Sequence, residues 1–192
     1  MAFPWEALPD LPLAARGADS AALMRAGCRT YREVAAYLHS LPYGRNADRA
    51  DYRLVLTELR GTCSTKHALL AAVALEQAIP VSLSIGIYDM SAANTPGVGP
   101  VLARHGLHSV PEAHCYLIYQ GKRIDITRSS GGPMAVQFAP EWSIEPTQIG
   151  AYKVRLHRTY LADWLRQHPE RTLTLDELWS IREDCIAALR ES

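Results

Sequence analysis

The sequence has little of what marks several large protein classes. It carries no excess of either charge: 20 Lys and Arg stand against 20 Asp and Glu in 192 residues. A net charge of zero gives no pull on a phosphate backbone, so nucleic acid is not an expected partner. No Lys/Arg-rich run suggests a membrane surface. No stretch approaches the ~20 consecutive apolar residues of a membrane span. The start, MAFPWEALPDLPLAARGAD, has no basic region ahead of an apolar core, so it does not read as a signal peptide. The expected location is therefore cytoplasmic. None of the four cysteines, at 28, 63, 115 and 185, forms a C-x-x-C pair. Without a secretion signal they read as reduced thiols. There is no internal repeat, low-complexity tract or obvious linker, so a single domain over 1–192 is expected.

What is present is a core-forming chain, 48% hydrophobic. A chain of this length buries about two-thirds of its unfolded surface. Residues 1–29 read as an N-terminal arm, irregular through residue 19. TYREVAAYLHSL has a helical stripe at Tyr31, Val34, Ala35, Tyr37, Leu38 and Leu41. Thr30 is its N-cap, Glu33 the capping-box partner, and Pro42 its end. YGRNADRAD is a polar loop, and DYRLVLTEL a short helix broken at Gly61. STKHALLAAVALEQA is apolar on nearly all sides, as a helix at a domain centre is. VSLSIGIY alternates, with Val81, Leu83, Ile85 and Ile87 on one face, as a half-buried strand does. Residues 89–112 read as a long loop with a helical turn near 101–105. AHCYLIYQGKRIDIT places two β-prone runs around Gln120-Gly121, a hairpin signal. RSSGGPMA is a further loop. QIGAYKVRLH reads as a strand, alternating at Tyr152, Val154 and Leu156. TYLADWLRQH and TLDELWSIREDCIAALR read as helices, the second capped by Thr174 and Glu177. This order indicates α+β.

The chemistry centres on Cys63. It lies where the Gly61-Thr62 loop meets the apolar helix. A thiol there feels the positive end of the helix dipole and free backbone N–H groups, which favour the reactive thiolate. Those N–H groups are also candidate oxyanion donors. Gly61 gives the backbone room to turn and a substrate room to approach. A thiolate nucleophile needs a base, and the base an orienting group. His114 begins the strand after the long loop, and Asp125 follows 125 − 114 = 11 residues on, across the hairpin turn. Hairpin pairing sets them near one end of adjacent strands.

RGTCSTKHALLAAVALEQAIPVSLSIGIY resembles the G-x-C helix and following strand of the transglutaminase-like superfamily. AHCYLIYQGKRIDIT is similar to that family's His strand and its hairpin to the Asp strand, with Asp-x-Thr in place of Asp-Pro-Thr. Tyr43 fits the upstream pattern. The resemblance spans roughly residues 30–130, the expected catalytic core. It implies a papain/transglutaminase-like fold: a central Cys-bearing helix packed on an antiparallel β-sheet. Extra C-terminal elements fill 131–192. It also implies acyl transfer or hydrolysis at an amide or thioester carbonyl. Cys63 would be the nucleophile, His114 the base and Asp125 the orienter. A peptide, protein or small amide is the expected substrate, and no cofactor or metal is needed. The oligomeric state is not legible.

Further candidates surround this set. Arg45 and Asn46 are substrate or oxyanion candidates from the polar loop, with turn chemistry as the simpler role for Asn46. Tyr43, Ser64 and His67 are further substrate or oxyanion candidates. His67, four residues after Cys63, shares its helical face; it either hydrogen-bonds beneath the site or binds metal. Lys66 either lowers the thiol pKa or sits in solvent. Cys28, Cys115 and Cys185 read as core filler, and His105 and His108 as solvated loop residues. Three rivals remain. One is a binding module of this fold without turnover. Another is a zinc protein using Cys63, His67 and His114. The third is an arylamine acetyltransferase-like enzyme, for which no acyl-CoA-binding signature is present.

Overall fold

A computed structural model describes residues 3–127 and 136–189. The loop expected at RSSGGPMA, 128–135, lies outside the described residues. The fold is α+β. Its helices are α1 (Ala18–Arg25), α2 (Tyr31–Ser40), α3 (Leu54–Glu58), α4 (Cys63–Glu76), α5 (Gly99–Arg104), α6 (Ala151–Gln167) and α7 (Leu175–Ala188). The strands β1 (Ser82–Ser91), β2 (Ser109–Tyr119), β3 (Lys122–Ile124) and β4 (Glu141–Ile144) form an antiparallel sheet in the order β3-β2-β1-β4. Short 3-10 turns occupy Pro4–Ala7 and Pro146–Ile149. The chain divides into two compact units. The first holds Met1–Ile85, Cys115–Met134 and Trp142–Gly150; the second holds Gly86–His114, Ala135–Glu141 and Ala151–Ser192.

In the first unit, α4 is the organising element. Residues 63–74 are all buried, so the helix has no solvent face until its last turn. α1, α2, α3 and the Pro146–Ile149 turn pack around it. α2 forms as its sequence dictates: the Thr30 hydroxyl accepts from the Glu33 N–H at 3.2 Å, and the Glu33 carboxylate accepts from the Thr30 N–H at 3.3 Å. Tyr31, Val34, Ala35 and Leu38 make its buried stripe. The Tyr31 hydroxyl donates to the Leu70 carbonyl of α4 at 3.1 Å.

The N-terminal arm corrects the sequence reading, because residues 18–25 are helical. The N-cap of α1, Gly17, has no side chain to accept from the first turn, although Ser20 Oγ accepts from the Gly17 N–H at 3.2 Å. The Glu76 carboxylate, at the far end of α4, accepts from the Asp19 and Ser20 N–H groups at 3.0 and 2.7 Å. Gly17 leaves the space for it: a Cβ there would stand 2.0 Å from Glu76 Oε1. Asp19 is buried in turn and accepts from Tyr52 and Arg53.

α4 stops two residues earlier than the apolar run. Ala78 takes a left-handed conformation at φ 56°, with Ile79 N–H on the Ala74 carbonyl at 2.9 Å and Ala78 N–H on that of Leu75 at 3.2 Å. This is a Schellman stop with alanine where glycine is favoured. Ala78→Gly is therefore expected to stabilise the protein by about 0.5–1 kcal/mol. Urea denaturation measures it, and a destabilised Ala78→Gly would show that the Ala78 side chain contributes more than its strain costs.

The hairpin is as expected. Gln120 and Gly121 both have positive φ, and the register pairs Tyr119 with Lys122, Ile118 with Arg123 and Leu117 with Ile124. Asp125 follows the last pair. Two strand readings change. β1 runs to Ser91 and is buried almost throughout rather than on one face. β2 begins at Ser109, so the expected loop over 89–112 shrinks to segments either side of α5.

In the second unit, α7 packs on α5 and α6. The strand expected at QIGAYKVRLH is instead the first half of α6. Its buried residues are Lys153, His157 and Leu161, one helical turn apart. Two of the three are polar, so an apolar-periodicity reading misses this face.

Candidate active site

The first unit gathers most of the expected site around the start of α4. Cys63 is its first residue, with Thr62 as N-cap. The Cys63 residue is 7% exposed. Its Sγ lies 3.9 Å from Ser64 Oγ, and Cys115 Sγ lies 3.6 Å from the same oxygen. Ser64 thus stands beside both thiols. Cys115 is wholly buried, in keeping with core filler. Cys185 is wholly buried as well and Cys28 is buried; burial pushes both thiols up, that of Cys185 to about 11. Neither offers a thiolate near neutral pH.

The loop preceding α4 is fixed by a short ladder. Gly61 N–H donates to the Pro42 carbonyl and Gly44 N–H to the Gly61 carbonyl, both at 3.2 Å, with Tyr43 and Gly61 bridged in parallel. Tyr43 therefore sits two residues from the nucleophile's turn. The Thr65 hydroxyl accepts from Thr62 N–H at 3.0 Å and donates to Asn46 Oδ1 at 2.8 Å. Asn46 Nδ2 donates to Glu58 Oε2 at 3.1 Å and to the Arg60 carbonyl at 3.0 Å. Both amide hydrogens of Asn46 are committed, so it braces the loop on α4 instead of facing a substrate oxygen. Arg45 is half-buried beside it. Gly61 does not open space for substrate. A Cβ there would stand 2.9 Å from Lys66 Cγ, Thr65 Oγ1 and Val55 Cγ2. The missing side chain makes room for neighbours within the fold.

His67 is fully buried. Its Nδ1 lies 2.8 Å from the Cys63 carbonyl, and its Nε2 accepts from the Ile126 N–H at 2.9 Å. These partners assign a neutral ring with its hydrogen on Nδ1. Asp125 Oδ1 is 3.6 Å from Nε2, but that nitrogen's lone pair is already used. His67 therefore clamps the start of α4 to the segment after β3. A zinc ion would have to displace one of these bonds. Among the described residues, no group of three or more His, Cys, Asp or Glu side chains is placed to hold a metal ion.

Asp125 is positioned by its own motif. Its Oδ1 accepts from the Thr127 N–H at 2.9 Å and from the Thr127 hydroxyl. The carboxylate is one-fifth exposed. Lys66, left open by the sequence, is wholly buried. Its Nζ donates to the Leu41 carbonyl at 2.6 Å and to the Thr127 carbonyl at 3.1 Å.

The second unit holds His114 in an aromatic cluster. Its ring stacks on Phe138 at 6.0 Å and 4°, and meets the edge of Tyr88 at 6.2 Å and 87°. Tyr88 and Phe138 are themselves edge to face at 5.8 Å. Gly86 makes room beneath: a Cβ there would stand 2.6 Å from Phe138 Cβ. Packing on two faces fixes the orientation of an imidazole. His105 and His108 are exposed, as solvated loop histidines are.

Comparison with known proteins finds no matching family model, no matching curated protein and no matching solved structure. Among the described residues, no helix is long and apolar enough to cross a membrane.

The second unit also contains a buried charge cluster. Arg182 pairs with Glu112 through Nε–Oε2 at 2.5 Å and Nη2–Oε1 at 2.6 Å. Burial alone would raise the Glu112 carboxyl, but the Arg182 charge and its bonds hold it below the usual range. His157 Nε2 lies 2.9 Å from the Pro111 carbonyl. Burial lowers the His157 pKa to about 4, against the pull of Glu112. An unfolded histidine takes its proton near pH 6.5, so between there and about pH 4 only the unfolded chain is protonated. The stability from a neutral His157 is full above about pH 6.5 and lost as pH falls towards 4. The loss is about 3 kcal/mol if no other group compensates. Denaturation midpoints over pH 4–7 measure it. His157→Gln is expected to flatten that dependence, and an equally steep profile in His157→Gln would assign the loss elsewhere.

Proposed function

We propose that this protein is a cytoplasmic thiol enzyme on a papain/transglutaminase-like core, which transfers or hydrolyses acyl groups at amide or thioester carbonyls. The observation that carries this reading is Cys63. It is a buried cysteine at the first position of a helix that is buried from that residue through Ala74. Such a position combines the positive end of the dipole with backbone donors in a low-dielectric setting.

In this reading the Cys63 proton passes to His114 and the thiolate attacks the substrate carbonyl. Backbone N–H groups at the start of α4 hold the oxyanion. The tetrahedral adduct collapses to a Cys63 thioester as the leaving amine, or the thiolate of a thioester substrate, takes the proton from His114. Water or a second amine then attacks the thioester, and the proton returns to the sulfur. Asp125, fixed by Thr127, orients the base. The substrate is a peptide, a protein or a small amide, and the acceptor decides between hydrolysis and transfer.

Intact-mass detection of an acyl adduct, using an activated thioester or electrophilic peptide probe, tests the reading. One adduct is expected in the wild type and none in Cys63→Ala. An unlabelled wild type, with Cys63 inert to iodoacetamide near neutral pH, would instead favour a binding module without turnover.

A further inference from the structure

We propose that Lys66 is a positioning residue of the Cys63 site, a fixed buried cation that favours the Cys63 thiolate while tying the end of α2 to the segment after Asp125. This rests on the thiol-enzyme reading above. Lys66 is wholly buried, and among the described residues its hydrogen-bond partners, Leu41 and Thr127, are both neutral carbonyls. A lysine buried without a carboxylate in contact is costly, and a structural tie between two carbonyls does not require a charge. The charge has an electrostatic use when acidic groups lie near.

Two such groups act on Lys66. Burial pulls its pKa down to about 8, and Asp125 and Cys63 both hold it up. His39 on α2 is in turn pushed down, first by its own burial and then in part by Lys66. The other charged groups around α4 are committed elsewhere. Glu58 bonds to Asn46, Ala47 and Arg60, Asp19 to Tyr52 and Arg53, and Glu76 to the start of α1. The adjacent His67 is neutral in its hydrogen bonds. Near neutral pH Lys66 is thus mainly cationic, and the charges it serves are Cys63 and Asp125.

The geometry also explains the glycine. The Lys66 stem passes where a Cβ of Gly61 would be, 2.9 Å from Cγ. Gly61 and Lys66 therefore act together: the glycine, two residues before Cys63, admits the stem, and the stem carries the charge to the Leu41 and Thr127 carbonyls.

Electrostatic coupling is reciprocal, so each partner must report the other. The rate of Cys63 alkylation by iodoacetamide, followed from pH 5 to 10, is expected to shift upward by about one pH unit in Lys66→Met. The rate at pH 6.5 should fall about tenfold. Lys66→Arg, which keeps the charge, should recover part of it. A purely structural tie would leave the profile in place. In case Lys66→Met does not fold, the same coupling is read from the other side. The lysine Cε resonance of Lys66 should titrate at lower pH in Cys63→Ala than in wild type. An unshifted Cys63 profile in a folded Lys66→Met, or a Lys66 midpoint indifferent to Cys63→Ala, overturns the inference. If Cys63 forms the acyl adduct but its profile ignores Lys66, only this inference fails. If the wild-type thiol titrates as an ordinary cysteine and takes no acyl probe, the enzyme reading fails with it.

Discussion

Replacing His114 with alanine is expected to slow acylation of Cys63 by about two to four orders of magnitude near neutral pH. The loss follows from the work assigned to the imidazole. Without a base, attack depends on the small fraction of thiolate sustained by the helix start and the Lys66 charge, and the leaving group must take its proton from water. His114→Ala should keep its fold, because the ring's neighbours Phe138 and Tyr88 also pack on each other. Single-turnover acylation by an activated thioester measures the rate, and circular dichroism checks the fold. Normal labelling in His114→Ala alongside none in Cys63→Ala would remove His114 from the mechanism and leave Cys63 as a reactive thiol with another base. Asp125→Asn should give a smaller loss, since it alters the orienting group and not the proton acceptor.

Glu112→Ala is expected to cost about 3–5 kcal/mol of stability. Glu112 and Arg182 form a bidentate pair, and both are buried. Truncating the carboxylate leaves the guanidinium charge in a low-dielectric interior, where Glu183 still pairs with it. Glu112→Gln, which keeps the shape and some hydrogen bonding, should lose less. The double substitution Glu112→Leu with Arg182→Met should recover much of the loss, because it removes both charges together. Urea denaturation of the wild type and the three variants measures each cost. A cost below about 1 kcal/mol for Glu112→Ala would mean that solvent reaches Arg182 once the carboxylate is gone.

The parts of this fold that could be read in the sequence are those whose signals are local. The Thr30–Glu33 and Thr174–Glu177 boxes cap α2 and α7 as expected. Gln120-Gly121 turns the hairpin because both residues adopt positive φ there. The position of Cys63 at the head of a buried helix follows from a glycine before it and an apolar run after it. What escaped reading depends on distant partners. α1 is capped by a carboxylate 57 residues away, so no box announces it. α6 buries a lysine and a histidine whose surroundings come from elsewhere in the chain. Pro111, within β2, reads as a loop residue, yet the strand passes through it. Lys66 was undecidable for the same reason. Whether its charge meets water or carbonyls depends on Leu41 and Thr127, 25 and 61 residues away. Asn46 and His67 were legible as polar residues near the nucleophile, but their bracing roles rest on pairings that no spacing reveals.

The division of the chain into two compact units has a practical consequence for dissecting the protein. Each unit is stitched from three separate stretches of chain, and β1, β2 and β4 each cross from one to the other partway along. No single truncation can release either one intact. A fragment ending at Gly150 would keep every stretch of the first unit but strip α6 and α7 from the second, leaving α5 as the one described helix in the unit of His114. Reporter fusions and affinity handles therefore belong at the chain ends, and reconstitution from halves would have to rejoin strands cut mid-length.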